Sequence, residues 1–138
     1  MKIDHIGIAT NGIDEALGFW VEALGLITVH TENVEDQKVR VAMLPVGESR
    51  IELLEPLADD SPISKFLQKR GGSGGIHHIA FKVDDIVSAL KTMKDRGMRL
   101  IDEEPRIGAE GCRVAFVHPA SAGGILIELV EQKEPFQQ

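Results

Sequence analysis

The sequence predicts an α+β fold made of two copies of one strand–helix–strand–strand–strand module, and three matches carry that expectation. "DHIGIA" returns as "HHIAFK", which pairs His5 with His78 at a spacing of 73; Gly25 pairs with Gly97 at 72; "RIELLEP" returns as "LIELVEQ", which pairs Glu52 with Glu128 at 76. Short indels absorb the differences. Each copy then contributes one first-strand histidine and one last-strand glutamate.

In the first copy "KIDHIGIAT" reads as a strand. "NGIDEALGFWVEALG" reads as an amphipathic helix with a stripe of Ile13, Leu17, Trp20 and Leu24, opened by Asn11 or Gly12 and stopped by Gly25. "LITVHT" is apolar and β-branched, hence a strand, and "VRVAML" and "RIELLEP" form two more around a turn at Gly47. "VEDQK", 34–38, reads as solvated loop from which Gln37 can approach a cavity.

The connector "DDSPISKFLQKRGGSGG" holds a short helix, with Ser61 placed to cap it and Pro62 in its first turn, where a missing N–H costs little. Its glycines, Gly71 to Gly75, read as a flexible hinge. They match no phosphate-binding fingerprint, because they lack a Lys-Ser/Thr pair and precede a strand.

The second copy follows the same plan. "IHHIAFKV" is a strand; "DDIVSALKTMKDRG" is a helix capped by Asp84 or Asp85 and stopped by Gly97; "MRLIDEE", "GCRVAFVH" and "GGILIELVE" are the three remaining strands. Ile86, Leu90, Met93 and the stem of Lys94 form the helical stripe. The expected organisation is one domain over 1–133, with modules at 1–57 and 76–133, a connector at 58–75 and a polar tail at 134–138.

The whole-chain numbers bound the function. Twenty-two acidic against 15 basic residues give a formal charge of -7, and no stretch interleaves basic with aromatic residues, which argues against nucleic acid. An anionic small substrate stays open if Lys65, Lys69 and Arg70, or Arg106 and Arg113, line an entrance. The single cysteine, Cys112, excludes a disulfide framework and reads as a buried inert thiol. No apolar run approaches transmembrane length and the first residues enter a strand directly, so no membrane partner is expected and the cytoplasm is the default compartment.

Strand alternation then orients the histidines. His5 shares a face with Gly7 and Ala9, and His78 with Ala80, whereas His77 falls with Ile79, Phe81 and Val83 on the bulky face that a helix can cover. His77 therefore reads as a packing residue or one that supports a ligand. Glu52 and Glu128 each sit inside an apolar run, where a carboxylate needs a proton, a cation or a metal. Taken singly, each of these four residues reads better as ordinary structure; taken together, two imidazoles and two carboxylates balance that reading evenly against a divalent-metal site, which would not discriminate among zinc, cobalt, nickel and manganese. Glu55 and Glu131 also repeat but lie on the opposite strand face. His30 and His118 have no repeated counterpart, and His118 before Pro119 shapes a turn or touches substrate.

"DHIGIA", "RIELLEPL", "GIHHIAFKVDDI" and "FVHPASAGGILIELVE" resemble the methylmalonyl-CoA epimerase family, within the vicinal oxygen chelate superfamily that also contains glyoxalase I. The resemblance covers nearly the whole chain, and "SPISKFL", "GIHHIAF" and "HPASAGGILIEL" point to the epimerase branch. It implies paired βαβββ modules in a curved mixed sheet around a metal-centred cavity, the vicinal oxygen chelate fold. It implies one divalent metal ion per chain, cobalt favoured, held by His5, Glu52, His78 and Glu128, with Glu52 standing where some epimerases carry glutamine. It further implies a homodimer and interconversion of the 2R and 2S forms of methylmalonyl-CoA by proton removal and return at C2 through a metal-stabilised enolate. A well-known form uses a second glutamate on the strand before Glu52, and the matching position here is Val41. The expected acid/base groups are Glu128 and, opposite it, Glu52; the expected substrate contacts are His118, Gln37, Lys65 and Arg70. The alternatives are a glyoxalase-type lactoylglutathione lyase and a non-catalytic protein that binds a small ligand.

Overall fold

The computed structural model describes residues 1–132, so the expected tail at 134–138 lies outside the described residues. The described residues form two compact units, one spanning His5–His77 and the other comprising Met1–Asp4 with residues 78–132. Among the described residues the eight strands are β1 (Lys2–Ala9), β2 (His30–Val34), β3 (Val39–Val46), β4 (Ser49–Pro56), β5 (Gly75–Lys82), β6 (Arg106–Ile107), β7 (Arg113–Val117) and β8 (Ile127–Glu131). They fall into two four-stranded mixed arrays, β2-β3-β4-β1 and β5-β8-β7-β6. In each array the first strand of the module runs parallel to the last, and the remaining pairs are antiparallel. The predicted α+β class and the repeated βαβββ plan are what the structure shows.

In the unit His5–His77, α1 (Ile13–Leu17) continues as a π-helical segment, Gly18–Ala23. Ile13 packs with Ala42, Leu44 and Leu53 into a core that Leu17, Trp20 and Leu26 extend. Leu24 does not complete the stripe: it is 53% exposed. The Leu24 N–H reaches back five residues to Phe19 O, and this wider turn rotates Leu24 out of the 3.6-residue register, so that Leu26 takes its place. Gly25 ends the segment at φ +94, as its position predicted.

The expected strand over "LITVHT" is displaced. Residues 26–29 are irregular and β2 starts at His30, where its ladder with β3 begins opposite Met43. Ile27 and Val29 are exposed, so apolar character there does not signal burial in a sheet. The β3–β4 hairpin turns at Gly47, whose φ is +59. In α2 (Pro62–Lys69) the Ser61 hydroxyl accepts the Ile63 N–H at 3.2 Å, and Pro62 occupies the first turn, as predicted. The glycine run after it makes a close contact: a Cβ on Gly74 would lie 2.5 Å from the carbonyl oxygen of Ala9.

The second unit repeats this packing. Asp85 caps α3 (Ile86–Asp95) by accepting the Ser88 N–H, and Ile86 and Leu90 pack with Ala115 and Leu129, joined by Met93. Lys94 does not lay its stem on the core; its side chain is largely exposed and its ammonium meets Glu103 at 2.8 Å. "MRLIDEE" forms no strand either. It makes one isolated bridge, Leu100 to Val117, and the Asp102 carboxylate accepts the Phe116 N–H at 2.8 Å. The edge strand is instead the two-residue β6, which begins after Pro105.

Candidate functional site

The site residues are set by ladder register. In the parallel pairing of β1 with β4, Gly7 lies opposite Glu52, two residues after His5; in that of β5 with β8, Ala80 lies opposite Glu128, two residues after His78. The repeat found in sequence is thus a repeat of register. It brings His5 Nε2 to 3.4 Å from Glu52 Oε1 in one unit and His78 Nε2 to 2.9 Å from Glu128 Oε1 in the other. All four residues are between 3% and 6% exposed. Buried imidazole and carboxylate groups are costly to desolvate, and the paired nitrogen and oxygen donors are of the type that divalent transition metals take. The residues present therefore fit such an ion.

The neighbours of each pair follow from the same ladders. Met43 lies opposite Glu52 on β3, and Phe116 opposite Glu128 on β7. The Phe116 ring stands edge-on to His78 at 5.7 Å, and the Arg106 guanidinium lies 5.7 Å from the centre of that ring. Val41, opposite Leu54 on β4 and Glu32 on β2, is buried and carries no proton-transfer group.

Parity separates the doubled histidine as predicted: His78 is buried, whereas His77 is half-buried and packs edge-on against Phe66 at 5.0 Å. Lys65 and Arg70 are exposed, with the Arg70 guanidinium 5.3 Å from the Phe66 ring centre. Gln37 ends a single 3₁₀ turn, Glu35–Gln37, and is half-buried. The His118 Nδ1 accepts the Ala120 N–H at 3.0 Å and so caps the turn Pro119–Ser121, which is the turn-shaping role foreseen for it. Arg113 belongs to the other sheet face, where it pairs with Glu131. Cys112 is buried, in line with an inert thiol.

Three features escaped sequence reasoning. Glu55 and Glu131 accept the first N–H of α1 and α3, from Ile13 at 2.7 Å and Ile86 at 2.9 Å; their repetition was visible, but their partners lie 42 and 45 residues away. The Ile86 N–H, then Arg113, hold the Glu131 carboxyl below the usual carboxylate range. His30 and Glu32 pair at 2.6 Å on β2, a strand whose start was misplaced. Arg106, in sequence only a candidate entrance cation, stands over the Phe116 ring.

Residues 4–116 match the model of the Glyoxalase/Bleomycin resistance protein/Dioxygenase superfamily. The mitochondrial methylmalonyl-CoA epimerase of Dictyostelium discoideum is 40% identical over 131 residues, covering 95% of this chain and 78% of that protein. The ethylmalonyl-CoA/methylmalonyl-CoA epimerase of Cereibacter sphaeroides is 37% identical over 129 residues, covering 93% and 96% of the two chains. Among solved structures, a variant of the Streptomyces coelicolor methylmalonyl-CoA epimerase in complex with 2-nitronate-propionyl-CoA superposes with a TM-score of 0.91 at 40% identity, covering 98% of this chain and 99% of that one.

Proposed function

Because the chain belongs to the Glyoxalase/Bleomycin resistance protein/Dioxygenase superfamily and, within it, to the methylmalonyl-CoA epimerases, we propose that it interconverts the 2R and 2S forms of methylmalonyl-CoA with a divalent cation bound by His5, Glu52, His78 and Glu128. The observation that carries this reading is the buried His–Glu pair repeated once per unit. His5, Glu52 and His78 supply one buried donor each, and Glu128 is the natural fourth. When bound, the cation supplies Lewis-acid stabilisation for the negative charge that develops on substrate oxygens. Cobalt as that metal and a homodimer as the assembly are carried over from the family.

The chain's own residues do the rest. In this reading Glu128 takes or returns the C2 proton, and Glu52 is the candidate for the opposite exchange. Gly7 and Ala80, the small residues opposite these carboxylates, leave volume for the reacting carbon instead of filling it. Phe116 covers His78 with an apolar edge that thins water around the site. Arg106, held over that ring, offers a guanidinium to the substrate's free carboxylate. Lys65 and Arg70 are exposed cations suited to coenzyme A phosphates, and Gln37 and the Nε2 side of His118 are further substrate contacts in this reading.

The test is to follow epimer interconversion with metal-loaded wild type and with Glu128→Gln. Removing a general acid/base should lower the rate by roughly 10²–10⁴-fold. Wild-type rates in Glu128→Gln would remove its role.

A further inference from the structure

The second unit carries an arginine on the sheet face of its own proposed metal ligands. Cross-strand partners project to one side of a sheet, and so do residues two apart on one strand. Arg106 lies opposite Val114 on β7; Phe116 follows two residues on and lies opposite Glu128. Ala80, two residues after His78, lies opposite Glu128 from the other side. Arg106, Phe116, Glu128 and His78 therefore share one face of one unit. The ring contacts agree, since the Phe116 centre is 5.7 Å from the His78 ring and 5.7 Å from the Arg106 guanidinium carbon.

Asp102 sets the direction of that guanidinium. Its Oδ2 accepts the Phe116 N–H at 2.8 Å, and its Oδ1 lies 3.6 Å from Arg106 Nε. The Asp102 side chain is only 16% exposed and so is a fixed anchor, whereas the Arg106 side chain, at 46%, stays open to a ligand. Among the described residues no hydrogen bond engages the terminal Nη groups of Arg106. Arg113 is the contrast: it sits at the other strand parity, and its Nε and Nη2 both donate to Glu131. An arginine aimed through Nε, with its terminal nitrogens open, presents the fork that matches the two oxygens of a carboxylate.

We propose that Arg106, aimed by Asp102, makes this site select thioesters that carry a carboxylate at C2 over the same thioesters without one. The inference rests on the epimerase reading and names the pair that sets its substrate class. Arg106 touches the substrate; Asp102 is a positioning residue that acts through it. A carboxylate drawn against the Phe116 ring sheds water and needs a paired charge there, which Arg106 supplies.

The experiment titrates the metal-loaded full chain with malonyl-CoA and with propionyl-CoA, which differ at C2 by a carboxylate against a methyl group, and reads both Kd values by calorimetry. Neither ligand has a C2 stereocentre, so binding is read without epimerisation. Wild type should prefer malonyl-CoA, and Arg106→Gln should shrink that preference by roughly 10–100-fold. The propionyl-CoA Kd, metal content and thermal midpoint should stay at wild-type values. Arg106→Lys, which keeps the charge and loses the fork, should recover part of the preference. Asp102→Asn keeps an acceptor for the Phe116 N–H and removes the charge that faces Arg106. It should shrink the preference by about 2–5-fold, again with propionyl-CoA unchanged, a split that a merely structural role would not produce. A wild-type preference in Arg106→Gln would overturn the inference and leave the epimerase reading standing. Equal weakening of both ligands would also overturn it, as a loss of structure. A wild-type preference in Asp102→Asn would remove the positioning role. Wild type that interconverts neither methylmalonyl-CoA epimer would overturn the epimerase reading and this inference with it.

Discussion

Glu131 accepts the N–H of Ile86 at 2.9 Å, so the residue three places beyond a proposed metal ligand fixes the helix that covers the other side of the same strand. Glu55 does the same for Ile13. Charged pairs to Arg113 and Arg40 hold the two carboxylates in place. Sheet and helix are tied together through a carboxylate in each unit, with the metal-face and helix-face glutamates alternating along one strand.

The Glu131 link predicts an acid-sensitive contribution to stability. Its carboxyl titrates lower in the folded state than in the unfolded chain, so the contribution is full above the ordinary glutamate value, about 4.3, and is lost as pH falls through the folded-state value. Glu131→Gln should cost about 1 kcal/mol near neutral pH and should flatten the stability profile below about pH 4.3. Urea melts across that range check both.

Ser61, fully buried, satisfies the Ile63 N–H at the start of α2. Ser61→Ala should destabilise by about 1 kcal/mol, read as a lower urea midpoint at unchanged slope.

Gly74→Ala should be worse tolerated than its loop position suggests. The new methyl would meet the Ala9 carbonyl oxygen at 2.5 Å, backbone against backbone, with no side chain able to yield. A loss of about 1–3 kcal/mol is expected, measured by the same melts.

The two neighbouring histidines should separate by metal content. His78→Ala should purify with reduced metal after loading and dialysis. His77→Ala, which removes a ring packed on Phe66, should keep its metal and lose about 1 kcal/mol of stability.

Sequence resolved what strict alternation encodes. The runs around His5 and His78 alternate between buried and half-buried residues, Glu52 and Glu128 stand out as charges inside apolar runs, and the glycines at 25, 47 and 97 mark turns that require positive φ. It failed at the array edges. Residues 26–29 and 98–104 are apolar enough to read as strands, yet β2 and β6 start only where a hairpin partner is in place. Leu24 leaves the expected stripe because a π-helical turn has no signature in a 3.6-residue pattern.

The decisive measurement incubates cobalt-loaded wild-type protein with a single methylmalonyl-CoA epimer in deuterated water and follows C2 by mass and by chiral assay. A metal-dependent epimerase will show solvent deuterium at C2 together with the opposite epimer, and will lose both after the metal is stripped. Metal-replete protein that leaves C2 protonated and the epimer unchanged would contradict it.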